Sequence, residues 1–137
     1  FSDNILSGRG NLTNITLPQG TRRIGNGAFS GCGKLTEIVI PDSVTEIGNR
    51  AFEGCNGLGK INLPKGITTI EECAFRGSGL TEITINSSAA PTIGSEAFPK
   101  TASIITADGA TGYDAGNWKD YNVKGGAKAE LQQKKLM

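Results

Sequence analysis

Leu35-Thr36-Glu37-Ile38-Val39-Ile40-Pro41-Asp42-Ser43-Val44-Thr45-Glu46-Ile47-Gly48-Asn49-Arg50-Ala51-Phe52-Glu53-Gly54-Cys55 is the stretch that decides the fold. A step of 23 residues from Phe52 lands on Phe29 in one direction and on Phe75 in the other, and one more reaches Phe98. Ile24, Ile47, Ile70 and Ile93 keep the same spacing. The surrounding phrase repeats as Ala28-Phe29-Ser30-Gly31-Cys32 and Ala74-Phe75-Arg76-Gly77-Ser78, and a fourth copy, Ala97-Phe98, runs into Pro99. Four apolar triplets complete the unit: Leu12/Ile15/Leu17, Leu35/Ile38/Ile40, Leu58/Ile61/Leu63 and Leu80/Ile83/Ile85. The last comes one residue early, and the Ser-Ser-Ala-Ala run at 87–90 restores the register before Ile93.

A unit of this length is too small to bury its own apolar face, so copies must stack. Each apolar position then rests on its own copy about 4.8 Å away, the spacing between neighbouring strands. Within a triplet, positions one, four and six point inward and the residues between them face water. Pro18, Pro41 and Pro64 directly follow three of the triplets. Without an N–H, proline suits a strand end, where it stops the ladder without breaking it. Gly20 and Gly66 then let the chain turn, and the segment ending at Ala-Phe returns along the opposite side. The phenylalanines fill the space between the two sides. The expected architecture is a parallel, in-register ladder with strands starting near Leu12, Leu35, Leu58 and Leu80.

The phrase Leu35-x-x-Ile38-x-Ile40-Pro41-x-Ser43-Val44-x-x-Ile47-Gly48-x-x-Ala51-Phe52-x-Gly54-Cys55 resembles the BspA-like type of leucine-rich repeat, over roughly residues 12–98. The resemblance implies a right-handed leucine-rich-repeat solenoid with short turns and little helix. It divides the chain into a remnant of a preceding repeat (1–11), four repeats of 22–23 residues (12–98), a C-terminal cap (99–123) and a polar tail (124–137). Commoner leucine-rich repeats carry an asparagine after the strand. Here Gly20, Ser43 and Gly66 hold that offset, so no asparagine ladder is expected there. The segment 104–123, with Tyr113, Trp118, Lys119 and Tyr121, resembles the closing segment of such arrays, and its aromatic rings would cover an open core end. Phe1-Ser2-Asp3 resembles the end of an Ala-Phe unit. The opening at Phe1, with no basic-then-apolar leader, is read as a processed or trimmed piece of a longer protein.

Composition narrows the function classes. The chain has 137 residues, a net charge of +1 and no stretch near the ~20 apolar residues of a membrane span, so neither nucleic acid nor direct membrane insertion is expected. Positive charge gathers in the tail, where Lys124, Lys128, Lys134 and Lys135 face only Glu130. Histidine is absent, which removes Ser-His and Cys-His catalysis and His-containing zinc sites. Cys32 and Cys55 share a register in adjacent units, close enough for a disulfide but also suited to a ladder of buried thiols. Cys73 aligns with Gly27, Arg50 and Glu96, where exposure is expected. Gly25-Asn26-Gly27 and Gly31-Cys32-Gly33-Lys34 lack the remaining residues of a phosphate loop. Glu71-Glu72 reads as surface charge. Asn11, Asn14 and Asn86 each open a glycan acceptor triplet. No catalytic, cofactor-binding or metal-binding group emerges, and no cofactor is expected.

The outward strand positions form the candidate partner-binding face. One column is Thr13, Thr36, Gly59, Thr81; the next is Asn14, Glu37, Lys60, Glu82; the third is Thr16, Val39, Asn62, Thr84. The alternating charges of Glu37, Lys60 and Glu82 are expected to neutralise one another. No aromatic residue stands on these columns, which disfavours stacking on sugars or bases. The resemblance implies a secreted or cell-surface module that binds a protein ligand, extracellular matrix or a host surface protein among the candidates. The alternative is a structural spacer that displays another domain. Weak end-to-end self-association is a further expectation, unless Ile5 and Leu6 cover the first unit. Truncation of Phe52 to Ala should cost about 3–5 kcal/mol in urea unfolding, as for other core phenylalanines.

Overall fold

A computed structural model describes residues 1–125; the expected tail lies outside them from residue 126 on. Long and short strands alternate along the chain: β1 (Asn14–Thr16), β2 (Arg23–Ile24), β3 (Glu37–Val39), β4 (Glu46–Ile47), β5 (Lys60–Leu63), β6 (Thr69–Ile70), β7 (Glu82–Ile85), β8 (Thr92–Ile93), β9 (Ser103–Thr106) and β10 (Asn122–Lys124). Every pairing between them is parallel. The short strands form one sheet, β2-β4-β6-β8, and the long strands form the opposite side as β1-β3 and β5-β7-β9-β10. One 3₁₀ turn, Gly116–Asp120, is the only helical element among the described residues. The chain is therefore a solenoid of stacked coils, as the 23-residue spacing requires.

Between the two sides lies one continuous core. Phe29, Phe52, Phe75 and Phe98 are buried and stacked, with ring centroids 5.1, 4.8 and 5.3 Å apart. The Phe29, Phe52 and Phe75 N–H groups each donate to the alanine carbonyl of the next coil at 2.7 Å. Those alanines are fully buried, because a larger side chain would hold the coils apart. Ile24, Ile47, Ile70 and Ile93 form a second buried column on the short-strand side.

The first coil departs from the expected register. Leu6 N–H bonds the Ala28 carbonyl and Gly25 N–H bonds the Phe1 carbonyl. Leu6 thus holds the phenylalanine position, and Phe1 stands below Ile24, not at the end of an Ala-Phe phrase. The Phe1 ring still reaches the aromatic column, stacking on Phe29 at 5.6 Å. Of the two residues expected to fold over this coil, Leu6 packs against the core and Ile5 stays exposed.

Turn geometry repeats as strictly as the core. Gly8, Gly31, Gly54 and Gly77 all have φ near +75°, in the left-handed region that favours glycine. A second left-handed column runs through Asn4, Gly27, Arg50, Cys73 and Glu96. Cys73 is buried there, contrary to the exposure expected from its aligned neighbours. Its small thiol lies outside the hydrophobic core, against the Arg76 side chain, whereas the longer charged side chains of Arg50 and Glu96 are exposed. An asparagine ladder does exist, away from the usual offset. Asp3 Oδ1 accepts from Asn26 N–H at 2.8 Å, and Asn26 Oδ1 accepts from Asn49 N–H at 2.9 Å.

Beyond Phe98, side chains take over the bonds a further coil would make. The Trp118 indole N–H donates to the Pro91 carbonyl at 2.9 Å, and Asn117 Nδ2 donates to the Ile93 carbonyl at 2.8 Å. The Phe98 N–H, whose counterparts reach an alanine carbonyl, donates to the Tyr121 hydroxyl at 3.3 Å. Both rings also close over Phe98, Tyr121 edge-on at 5.9 Å and Trp118 tilted at 6.0 Å. Tyr121→Phe keeps the ring and strands one buried N–H. It should lower the urea unfolding free energy by about 1–3 kcal/mol, the usual cost of such a group.

Candidate functional site

The long-strand sheet carries the three outward columns. Strand pairing sets Asn14 beside Glu37 and Thr16 beside Val39 in β1-β3. In β5-β7 it sets Lys60 beside Glu82 and Asn62 beside Thr84. The same ladder continues through Ser103 and Ile105 to Asn122 and Lys124. Those four outward residues were missed in the sequence because the spacing shortens after Glu82 and the phenylalanine marker is gone. The alternation of Ser103-Ile104-Ile105-Thr106 was too mixed to replace it.

The threonine column is not a row of free hydroxyls. Thr36 Oγ1 donates to the Thr13 carbonyl and Thr81 Oγ1 to the Gly59 carbonyl, both at 3.3 Å. Such bonds tie one coil to the next beside the main ladder. Gly59 has no hydroxyl to offer the Thr36 carbonyl, and the long-strand ladder is interrupted between β3 and β5. A Cβ added to Gly59 would meet nothing within 4 Å. The result is an open depression of about 490 Å³, flanked by Thr36, Glu37 and Val39 on one coil and by Gly59, Lys60 and Asn62 on the next.

Charge along the face is correspondingly uneven. Lys60 Nζ approaches Glu82 Oε2 at 3.9 Å, an exposed pair of small energetic weight. Glu37 makes no ion pair among the described residues, so the expected mutual neutralisation reaches only one of the two carboxylates. Val39, at 65% exposure, is the most exposed large apolar side chain of the face.

Elsewhere, polar side chains serve the fold. Cys32 and Cys55 are buried free thiols that donate to the Leu6 and Phe29 carbonyls at 3.2 Å. Burial, reinforced by the neighbouring Cys32 thiol, pushes Cys55 up to about 12, and burial raises Cys32 as well. Neither offers a thiolate near neutral pH. Burial also pushes the Tyr113 phenol up to about 12. Glu71 is more than surface charge: Arg23 bonds its carboxylate at 2.8 Å and that of Glu46 at 3.1 Å, linking three coils. The hydrogen bond to Glu71 is the main cause that raises the Arg23 pKa. Asn86 Nδ2, the atom a glycan would use, donates to the Leu63 carbonyl at 3.1 Å. Asn11 and Asn14 are exposed. No cluster of three potential metal ligands occurs among the described residues.

Residues 1–111 match the family model for the BspA type leucine-rich repeat region, with six copies. Among solved structures, the chain is similar to the leucine-rich repeat protein of T. pallidum, at 25% identity and a TM-score of 0.72. That match covers 99% of this chain and 75% of the other. A leucine-rich repeat protein from Bacteroides ovatus is 36% identical, with a TM-score of 0.67. The match covers 77% of this chain but only 28% of that protein. No curated protein sequence matches the chain.

The missing threonine is open to a direct test. Gly59→Thr fills empty space, supplies the absent hydroxyl and reduces unfolded-chain freedom. It should raise stability in urea unfolding by about 1–2 kcal/mol.

Proposed function

We propose that this chain, which belongs to the BspA-type leucine-rich repeat family, is a non-catalytic protein-binding and adhesion module of a secreted or cell-surface protein. Leucine-rich repeats of this kind are commonly protein-interaction modules, are typically non-enzymatic and are often surface-exposed or secreted. Among the described residues no helix is long and apolar enough to cross a membrane. The observation that carries the reading is the outward face of the long strands. Their parallel register places unlike polar and apolar side chains at fixed spacings on a backbone that the core holds rigid. The ligand class proposed is a protein, extracellular matrix or a host surface protein among the candidates.

The spacer reading draws support from the threonine column, whose hydroxyls are used within the solenoid. The two separate on one experiment. Replacement of Glu37, Lys60 and Glu82 together by alanine should abolish attachment of the protein to cells or matrix-coated surfaces and leave its thermal unfolding unchanged. Unchanged attachment would favour the spacer.

Area sets the expected strength. Six strands at about 4.8 Å, each presenting a few outward residues, offer a few hundred Å². A standard specific interface takes about 800 Å² from each partner. One-to-one binding by this chain should therefore be weaker than nanomolar in surface plasmon resonance, with tighter attachment arising from many copies on one surface. A nanomolar one-to-one dissociation constant would show that a more compact site does the binding.

A further inference from the structure

We infer that the depression between β3 and β5 receives a cationic side chain, arginine or lysine, from an extended segment of the protein partner. The inference rests on the proposed binding face and names the chemistry that face selects. Three independent features meet at this point. Steric room comes from Gly59, where the neighbouring coils carry threonine and where an added Cβ would meet nothing within 4 Å. Charge comes from Glu37, exposed on the rim and without an ion-pair partner among the described residues, whereas Glu82 has Lys60 at 3.9 Å. Apolar surface comes from Val39, 65% exposed on the same coil as Glu37.

Arginine and lysine combine the two properties this arrangement asks for. Their methylene stems cover apolar surface while the charged head stays at its edge. The stem would lie along Val39 and the head would reach the Glu37 carboxylate, where arginine gains a paired, charge-assisted contact. An acidic side chain would meet Glu37 in a depression whose lining cation, Lys60, is already directed to Glu82, and a purely apolar one would strip water from the Glu37 carboxylate without replacing it. The depression holds about 490 Å³ and opens to solvent, enough for a long side chain and its hydrating water. An extended backbone passing over the sheet directs alternate side chains toward it, so one basic residue enters while its neighbours point away.

The test uses the 137-residue chain, isotope-labelled for NMR and titrated with a short extended peptide of alternating Arg and Thr. A second peptide carries Gln in place of every Arg. The expected result is amide shifts confined to 36–39 and 59–62, affinity that falls as salt rises, and little binding of the Gln peptide. Gly59→Thr closes the depression and Val39→Ser removes its apolar wall, and each should weaken the Arg peptide about tenfold with the remaining spectrum unchanged. Equal binding of the two peptides, shifts spread along all the strands, or indifference to Gly59→Thr would overturn the inference. If Gly59→Thr has no effect while the triple alanine variant still loses attachment, the depression fails and the binding face stands. If the Arg peptide seats as expected while the triple variant attaches normally, the adhesive reading fails and the site stands.

Discussion

Vertical register between coils is the constraint on which the rest of the molecule depends. A coil of this length cannot enclose a core, so every apolar side chain finds its partner in the coil above or below. The phenylalanine column shows how tight that condition is. Ring centroids near 5 Å and backbone bonds of 2.7 Å from Phe to Ala leave no room for a unit of different internal geometry. Glu71 and Glu46 on Arg23, the Asp3-Asn26-Asn49 ladder and the cysteine bonds to carbonyls are further uses of the same vertical spacing. They supply specificity of register on a frame that burial has already assembled.

Register also explains where variation is allowed. The left-handed column at Asn4, Gly27, Arg50, Cys73 and Glu96 keeps its backbone angle while its side chains change completely. Backbone closure fixes the angle, and only the outward direction is free for chemistry. A non-glycine residue in that region is strained, by on the order of 1 kcal/mol. Stacking of the coil on both neighbours compensates for it. Ser78 marks the limit of such tolerance. It stands where Cys32 and Cys55 stand, but its buried hydroxyl finds no partner, whereas each of the two thiols donates to a carbonyl.

Spacing made the solenoid, the four long strands from Asn14 to Ile85 and the buried phenylalanine column legible in the sequence. It also placed the outward columns, because alternation within a strand is a property of the chain itself. What escaped was decided between coils. The interruption between β3 and β5 lies in how two successive coils meet, and no local pattern announces it. The strands at Ser103–Thr106 and Asn122–Lys124 escaped for the opposite reason: they follow the ladder below them without repeating its sequence. Phe1 reached the aromatic column from the isoleucine position because Leu6 leaves space there, which residue identity alone could not indicate.

The inter-coil strand bonds have one more property: among the described residues they lie along the stacking axis on both sides of the solenoid. Tension applied along the axis of an anchored array therefore meets them in sequence, and coils peel away singly at modest force. Each coil that opens frees 23 residues, or about 75 Å of slack at the usual extended length per residue. Shear across the strands would instead load a whole ladder at once. Pulled along its axis, such a stack is an extensible element, lengthening coil by coil while the coils still closed keep their register.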